Sequence, residues 1–208
     1  MQIFPRHLNL LPLVIAGAAT VGGGVLVAAI WYFASPANLQ VGYAPEQPVP
    51  YSHRLHAGEM EMDCRYCHAN VERSHEAMVP PTQTCMGCHA AVHPDSQRLA
   101  PVRESFASGE SVEWVRVHQL PDHVFFDHSV HLAAGVGCVS CHGRVDQMEV
   151  VQVDQPIGMG WCLDCHRDPG PNLRPRNEIT NMDWVPDENW VAHVDEVNPP
   201  THCSGCHR

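Results

Sequence analysis

The sequence predicts one N-terminal transmembrane helix followed by a mostly irregular outer domain with short α-helices and an internal duplication. Three observations carry this. Residues 11–33 form an uncharged stretch of 23 residues. Ten cysteines fall into five C-x-x-C pairs, each followed at once by histidine. The chain before the first pair, Tyr51-Ser-His53-Arg-Leu-His56, is repeated before the third as Phe126-Asp-His128-Ser-Val-His131.

Residues 1–10 carry Arg6, and no acidic residue occurs before Glu46. As a helix, residues 11–33 extend about 34 Å, enough to cross the hydrocarbon core of a bilayer. The basic N-terminus is expected on the cytoplasmic side, with the rest of the chain outside. Trp31 and Tyr32 sit where an interfacial aromatic belt belongs. A cleaved signal peptide has a shorter hydrophobic core, so a retained anchor is expected. Ala18/Gly22, Ala19/Gly23 and Thr20/Gly24 form a small-residue surface that suits a neighbouring helix, although glycine is common in membrane helices anyway. Residues 34–50, with four prolines, read as an extended tether.

The cysteines are Cys64, Cys67, Cys85, Cys88, Cys138, Cys141, Cys162, Cys165, Cys203 and Cys206; the histidines after them are His68, His89, His142, His166 and His207. C-x-x-C-H is the attachment sequence for c-type haem. One helical turn places Cys i and Cys i+3 on the same face for thioether links, and the next residue offers its imidazole to the iron. A zinc ribbon needs two pairs per metal and gives no reason for a histidine every time. Thioredoxin-like sites use a single pair in a βαβ setting. Five covalently attached haem c groups are therefore expected, in a multihaem cytochrome c domain. Haem is joined to such motifs outside the cytoplasmic membrane, in agreement with the topology.

The repeat continues past the haem histidines, His68-Ala-Asn-Val71-Glu72 against His142-Gly-Arg-Val145-Asp146, and each copy is followed by a second motif. This divides the outer part into a dihaem module at 51–90, a connector at 91–125, a second dihaem module at 126–167, and a C-terminal segment at 168–208 with the fifth site. In the connector, Asp95 is expected to cap a helix running to about Ala107, and the alternating Trp114–His118 to form a short strand. About 160 residues around five macrocycles leave little room for an ordinary core, so the cofactors themselves should fill it.

The formal charge is −11 and Arg6 is the sole charge before Glu46, so the outer part carries −12. Nucleic acid is excluded as a partner by this balance, whereas a basic electron-transfer protein could be steered to it. All twelve basic residues are arginines. Arg65, Arg144 and Arg167, beside the motifs, can bind haem propionates bidentately or make ordinary salt bridges.

Each iron can take a second ligand from the eleven remaining histidines. His53/His56 and His128/His131, three apart, lie on one face of a helical turn and can reach two neighbouring irons. The aromatic-x-H-x-x-H pattern resembles the small multihaem cytochromes of the c3/c7 type. That resemblance implies that His53 caps the haem of His68, that His128 caps the haem of His142, and that His56 and His131 each reach another haem. For the fifth ligand His118 is preferred, with His75 and Met148, six or seven residues past a haem histidine, as rivals. A methionine ligand would raise the potential of its haem.

A longer resemblance rests on "MQIFPRHLNLLP", "DCRYCH", "PPTQTCMGCH", "WVRVHQLPD", "GVGCVSCHGRVDQMEVV" and "MGWCLDCHRDP". These are similar to the pentahaem cytochrome subunit of alternative complex III, a bacterial quinol-oxidising respiratory assembly. The resemblance implies a single-pass protein of the bacterial inner membrane with its haem domain in the periplasm. Its partners would be an iron–sulfur subunit, a quinol-binding membrane subunit and a monohaem cytochrome c. It would relay electrons toward cytochrome c or a terminal oxidase without being catalytic by itself. Two other readings compete: a cytochrome that feeds a periplasmic reductase, and a multihaem reductase with an open haem site.

Overall fold

A computed structural model describes residues 5–208, which form two compact units, one ending at Gln40 and one spanning Val41–Arg208. Residues 1–4, part of the expected cytoplasmic segment, lie outside the described residues.

In the first unit a 3₁₀ turn, Arg6–Leu10, leads into helix α1, Leu11–Phe33, with Pro12 in its first turn. Pro there costs nothing, because the first amides of a helix have no intrahelical acceptor. None of the α1 side chains is buried; Leu13, Val14, Val21 and Trp31 are all exposed. The Thr20 hydroxyl donates to Ala16 O (2.9 Å), so it is satisfied within the helix. This helix is long and apolar enough to cross a membrane. A one-turn helix, α2 (Pro36–Leu39), follows, where the sequence suggested only extended chain.

The second unit contains no β-strand among its described residues, only two isolated bridges, Val124 with His207 and Val136 with Leu173. Its helices are short: α3 (Cys64–Cys67), α4 (Thr82–His89), α5 (Ala100–Ser108), α6 (His128–Ala133), α7 (Val139–His142), α8 (Met159–Arg167) and α9 (Cys203–Cys206). A π-helical turn, Arg54–Glu59, precedes α3. The Pro-rich stretch is extended beyond Val41 but not loose. Gly42 N donates to Val153 O and Val153 N to Tyr43 O, and Val49 is buried.

Two local expectations are corrected. The helix expected after Asp95 begins as a 3₁₀ turn, Gln97–Leu99, that runs into α5, but Ser96 rather than Asp95 stands at its start and no side chain caps it; Pro101 lies in the first turn of α5. Proline's fixed φ suits the passage from the 3₁₀ turn into α5. The helix ends at Gly109, whose φ of +79° is left-handed. Residues 114–118 form no strand, because no strand edge lies beside them. Instead the Gln47 amide clamps Val115, donating to Val115 O (2.8 Å) and accepting from Val115 N (3.0 Å).

Apolar packing is thin. Among the described residues the buried apolar side chains are Val49, Val71, Val102, Leu132, Val153, Leu173 and Ile179. Val71, Leu132 and Ile179 form one cluster joining segments from both repeats and the C-terminal segment. So small a buried apolar set falls short of what a domain of this length ordinarily buries.

Candidate haem-attachment sites

The five C-x-x-C-H motifs, numbered first to fifth along the chain, each place their cysteines on a helix: α3, α4, α7, α8 and α9, with Cys138 at the N-cap of α7. The short α3 is held at its start by Asp63, which accepts from Arg65 N (2.8 Å). None of the ten cysteines is paired in a disulfide, and two of them, Cys88 and Cys203, are exposed.

Four of the five histidines after the motifs share a tether. Nδ1 of His68 donates to Met78 O (2.5 Å), of His89 to Val92 O (2.9 Å), of His166 to Pro200 O (2.7 Å) and of His207 to His123 O (3.2 Å). A carbonyl can only accept, so the proton sits on Nδ1 and the Nε2 lone pair is left for a metal. His56, His128 and His131 are tied in the same way to Ser52 O (2.9 Å), His75 O (2.7 Å) and Asp127 O (2.7 Å).

Three pairs of these imidazoles face one another. Ring centres are 6.2 Å apart for His56 and His89, 6.4 Å for His128 and His142, and 6.1 Å for His131 and His166. One iron held between two imidazoles at metal–nitrogen distances of about 2.0 Å puts ring centres about 6.3 Å apart. These residues therefore fit an axially ligated haem iron. Among the described residues no three His, Cys, Asp or Glu side chains converge as a zinc centre requires.

The two aromatic-x-H-x-x-H segments have the same local geometry. Tyr51 lies edge-on to His53 (4.8 Å, 88°) and stacks on His56 (4.5 Å, 24°). Phe126 lies edge-on to His128 (4.7 Å, 86°) and stacks on His131 (4.5 Å, 29°). The aromatic ring thus fixes both imidazole planes at once, which is why the pattern begins with it.

Each segment docks on the turn that follows the other's haem motif. Arg54 N donates to Met148 O (3.0 Å), and the Arg54 guanidinium binds Glu149. Gly58 packs so closely on Asp146 O that a Cβ would lie 2.3 Å from it. Reciprocally, His128 N donates to His75 O (3.3 Å) and Ser129 N to Ser74 O (3.3 Å). His75 and Met148 therefore serve through their backbone carbonyls; the His75 side chain is exposed and that of Met148 half-buried.

His53 and His142 are neutral at pH 7. Burial first, then neighbouring imidazoles, lowers His53 to about 4 and His142 to about 3. Burial likewise lowers His118 and His131. The neighbours acting on His53 include His68. His118 stands edge-on to His142 at 4.5 Å, with its Nε2 buried and unpartnered. At the fifth site His123 lies beside His207 (5.5 Å, 25°). His193 spends its Nε2 on Ala134 O (2.9 Å).

The three arginines beside the motifs all pair with carboxylates. Arg65 forks onto Asp63 and reaches Glu72; Arg144 forks onto Asp146 and reaches Asp183; Arg167 lies 3.7 Å from Asp164. These are the salt bridges of the plainer reading. The arginine that sequence reasoning missed is Arg174, 6% exposed, stacked on Trp184 (5.1 Å) with Nη1 donating to Asn181 O (2.8 Å). Its Nε is buried and unpartnered and faces Gly137, beside Cys138. A buried arginine donor with no acceptor suits an anionic group at the third site, such as a haem carboxylate. The one sequence signal for it was Gly135-Val-Gly137 before Cys138. A Cβ at Gly137 would lie 2.2 Å from Arg174 Nε, and one at Gly135, where φ is +90°, would meet Arg174 O.

Comparison with known proteins agrees with this geometry. Residues 124–208 match the family described as cytochrome c7 and related cytochrome c. The chain is 35% identical to the menaquinone reductase multihaem cytochrome c subunit of Nitratidesulfovibrio vulgaris (strain Hildenborough), over 92% of this chain and 90% of that protein.

Proposed function

Because this chain belongs to the multihaem c-type cytochromes, we propose that it is a membrane-anchored pentahaem relay in a respiratory quinol-oxidising complex of the alternative complex III kind. It would pass electrons from quinol oxidised in other subunits toward cytochrome c or a terminal oxidase. The observation that carries the reading is the set of facing imidazole pairs at 6.1–6.4 Å, five of the six rings having Nδ1 tied to a carbonyl. Covalently bound haem c supplies one-electron redox chemistry; the chain supplies axial ligands, burial and hydrogen bonds that set each potential.

The ligand assignment that this geometry favours gives His53 to the first site, His56 to the second, His128 to the third and His131 to the fourth. The repeated segments and their reciprocal docking support a duplicated dihaem module with a fifth site added. Helix α1 is the anchor, with the haem domain on the extracytoplasmic side, where haem attachment takes place. Iron–sulfur and quinol-binding subunits and a monohaem cytochrome c are the partners that this reading assigns.

A second reading has a specific observation behind it. The similar protein from N. vulgaris is named for menaquinone reduction, so the electron flow could run inward, from an extracytoplasmic donor to a quinone-reducing partner. Gentle solubilisation, identification of co-purifying subunits and anaerobic mixing with a menaquinol analogue separate the two. Reduction of the haems by the quinol and re-oxidation by cytochrome c supports the first direction. Failure of quinol to reduce them, with reduction by a soluble cytochrome, supports the second.

A further inference from the structure

We propose that the five attachment sites lie in space in the order second, first, third, fourth, fifth, so that the second and fifth sites are the ends at which this chain exchanges electrons with its partners. The inference rests on reading the chain as an electron relay. One electron entering from a reduced one-electron carrier at one end leaves to an oxidised one at the other, and the chain returns to its starting state.

Every link is visible in the chain's own contacts. The second and first sites share the turn that carries His53 and His56: His56 faces His89 of the second site, and His53 lies near His68 of the first. Tyr51, stacked on His56, lies close to Cys85 of the second site as well as to Cys64 and Cys67 of the first. The first and third sites meet where the Thr180 hydroxyl, next to Ile179, donates to Asp63 (3.1 Å) at the start of α3. Around this contact Val71, just past the first motif, packs with Leu132 and Ile179, and Cys138 N donates to Ile179 O (3.0 Å).

The third and fourth sites share helix α6, which sets His128 opposite His142 and His131 opposite His166. The fourth and fifth meet where His166 Nδ1 donates to Pro200 O (2.7 Å), Pro200 being packed against Gly205 inside the fifth motif.

Exposure marks the same two ends. Of the ten cysteines only Cys88 and Cys203 are exposed, one in each end site. The reason for the swap lies in the docking described above. Each H-x-x-H turn sits on the turn after the other repeat's first motif, so the two repeats meet head to head through the first and third sites. The second and fourth sites are then pushed outward.

The test uses the full-length, detergent-solubilised protein and follows how a sub-stoichiometric pulse of electrons redistributes among the haems. Loss of the second site (Cys85→Ala with Cys88→Ala) should leave four haems that re-equilibrate as one population, as in the wild type. If that loss instead strands the haem of His68, slowing its exchange more than tenfold, the sites run in chain order and the proposal is overturned. Should the variant fail to mature, proton contacts between haem substituents in the wild-type protein decide the matter. Contacts between the first and third haems support the order, and contacts between the second and third overturn it. A wild-type protein with fewer than five haems, or with no redistribution at all, would overturn the relay reading itself and is distinguishable from either result.

Discussion

His128 and His142 face each other with ring planes only 7° apart and centres separated by 6.4 Å, one imidazole from helix α6 and the other from the end of α7. His128 is held from behind by the carbonyl of His75, 53 residues away. An imidazole of one repeat is thus positioned by the backbone of the other, so the two repeats cannot separate without loosening the His128–His142 pair.

From this relationship, His128→Ala should convert the haem of His142 from low-spin to high-spin and leave the haem of His166 low-spin, while His131→Ala should do the reverse. Electron paramagnetic resonance of the oxidised protein, with five haems still counted by haemochrome assay, is the check. A change at the same haem in both variants would refute the assignment.

His118 stands at 4.5 Å from His142 with Nε2 buried and unpartnered. His118→Ala should therefore perturb the potential and spectrum of the third site and leave the fifth unchanged. Loss of a low-spin signal at the haem of His207 would restore His118 as the fifth distal ligand.

Arg174 places a buried, fixed positive charge beside the third motif. Ferrous haem carries one positive charge fewer than ferric, so a nearby cation favours reduction. Arg174→Met should lower the reduction potential of that haem selectively, as read by spectroelectrochemical titration. A uniform shift of all five would show a general loosening instead.

Gly137 leaves room for the Arg174 guanidinium, and a Cβ there would lie 2.2 Å from Nε. Gly137→Ala should destabilise the holoprotein by about 1–3 kcal/mol, the usual cost of overpacking. Denaturant unfolding followed by far-ultraviolet circular dichroism measures it. An unchanged midpoint would mean that Arg174 moves aside freely.

Much of this molecule was legible in one dimension, because the determinants are local. A run of 23 uncharged residues makes a helix of membrane-spanning length wherever it occurs, and C-x-x-C-H puts two sulfurs and an imidazole on one turn by covalent spacing alone. The aromatic-x-H-x-x-H repeat was equally readable, since its ring contacts lie within six residues. Local reasoning failed where a partner came from far away. The Trp114–His118 alternation resembles a strand, yet the group that satisfies Val115 is the side chain of Gln47, 68 residues earlier. Arg65 and Arg144 looked free for a ligand until folding brought Glu72 and Asp183 to them, and Arg174 gave no sign of being buried. The facing of His128 on His142 and of His131 on His166, and the meeting of Asp63 and Val71 with Thr180 and Ile179, were decided by tertiary packing, because they depend on which surfaces meet when two similar segments dock on one another.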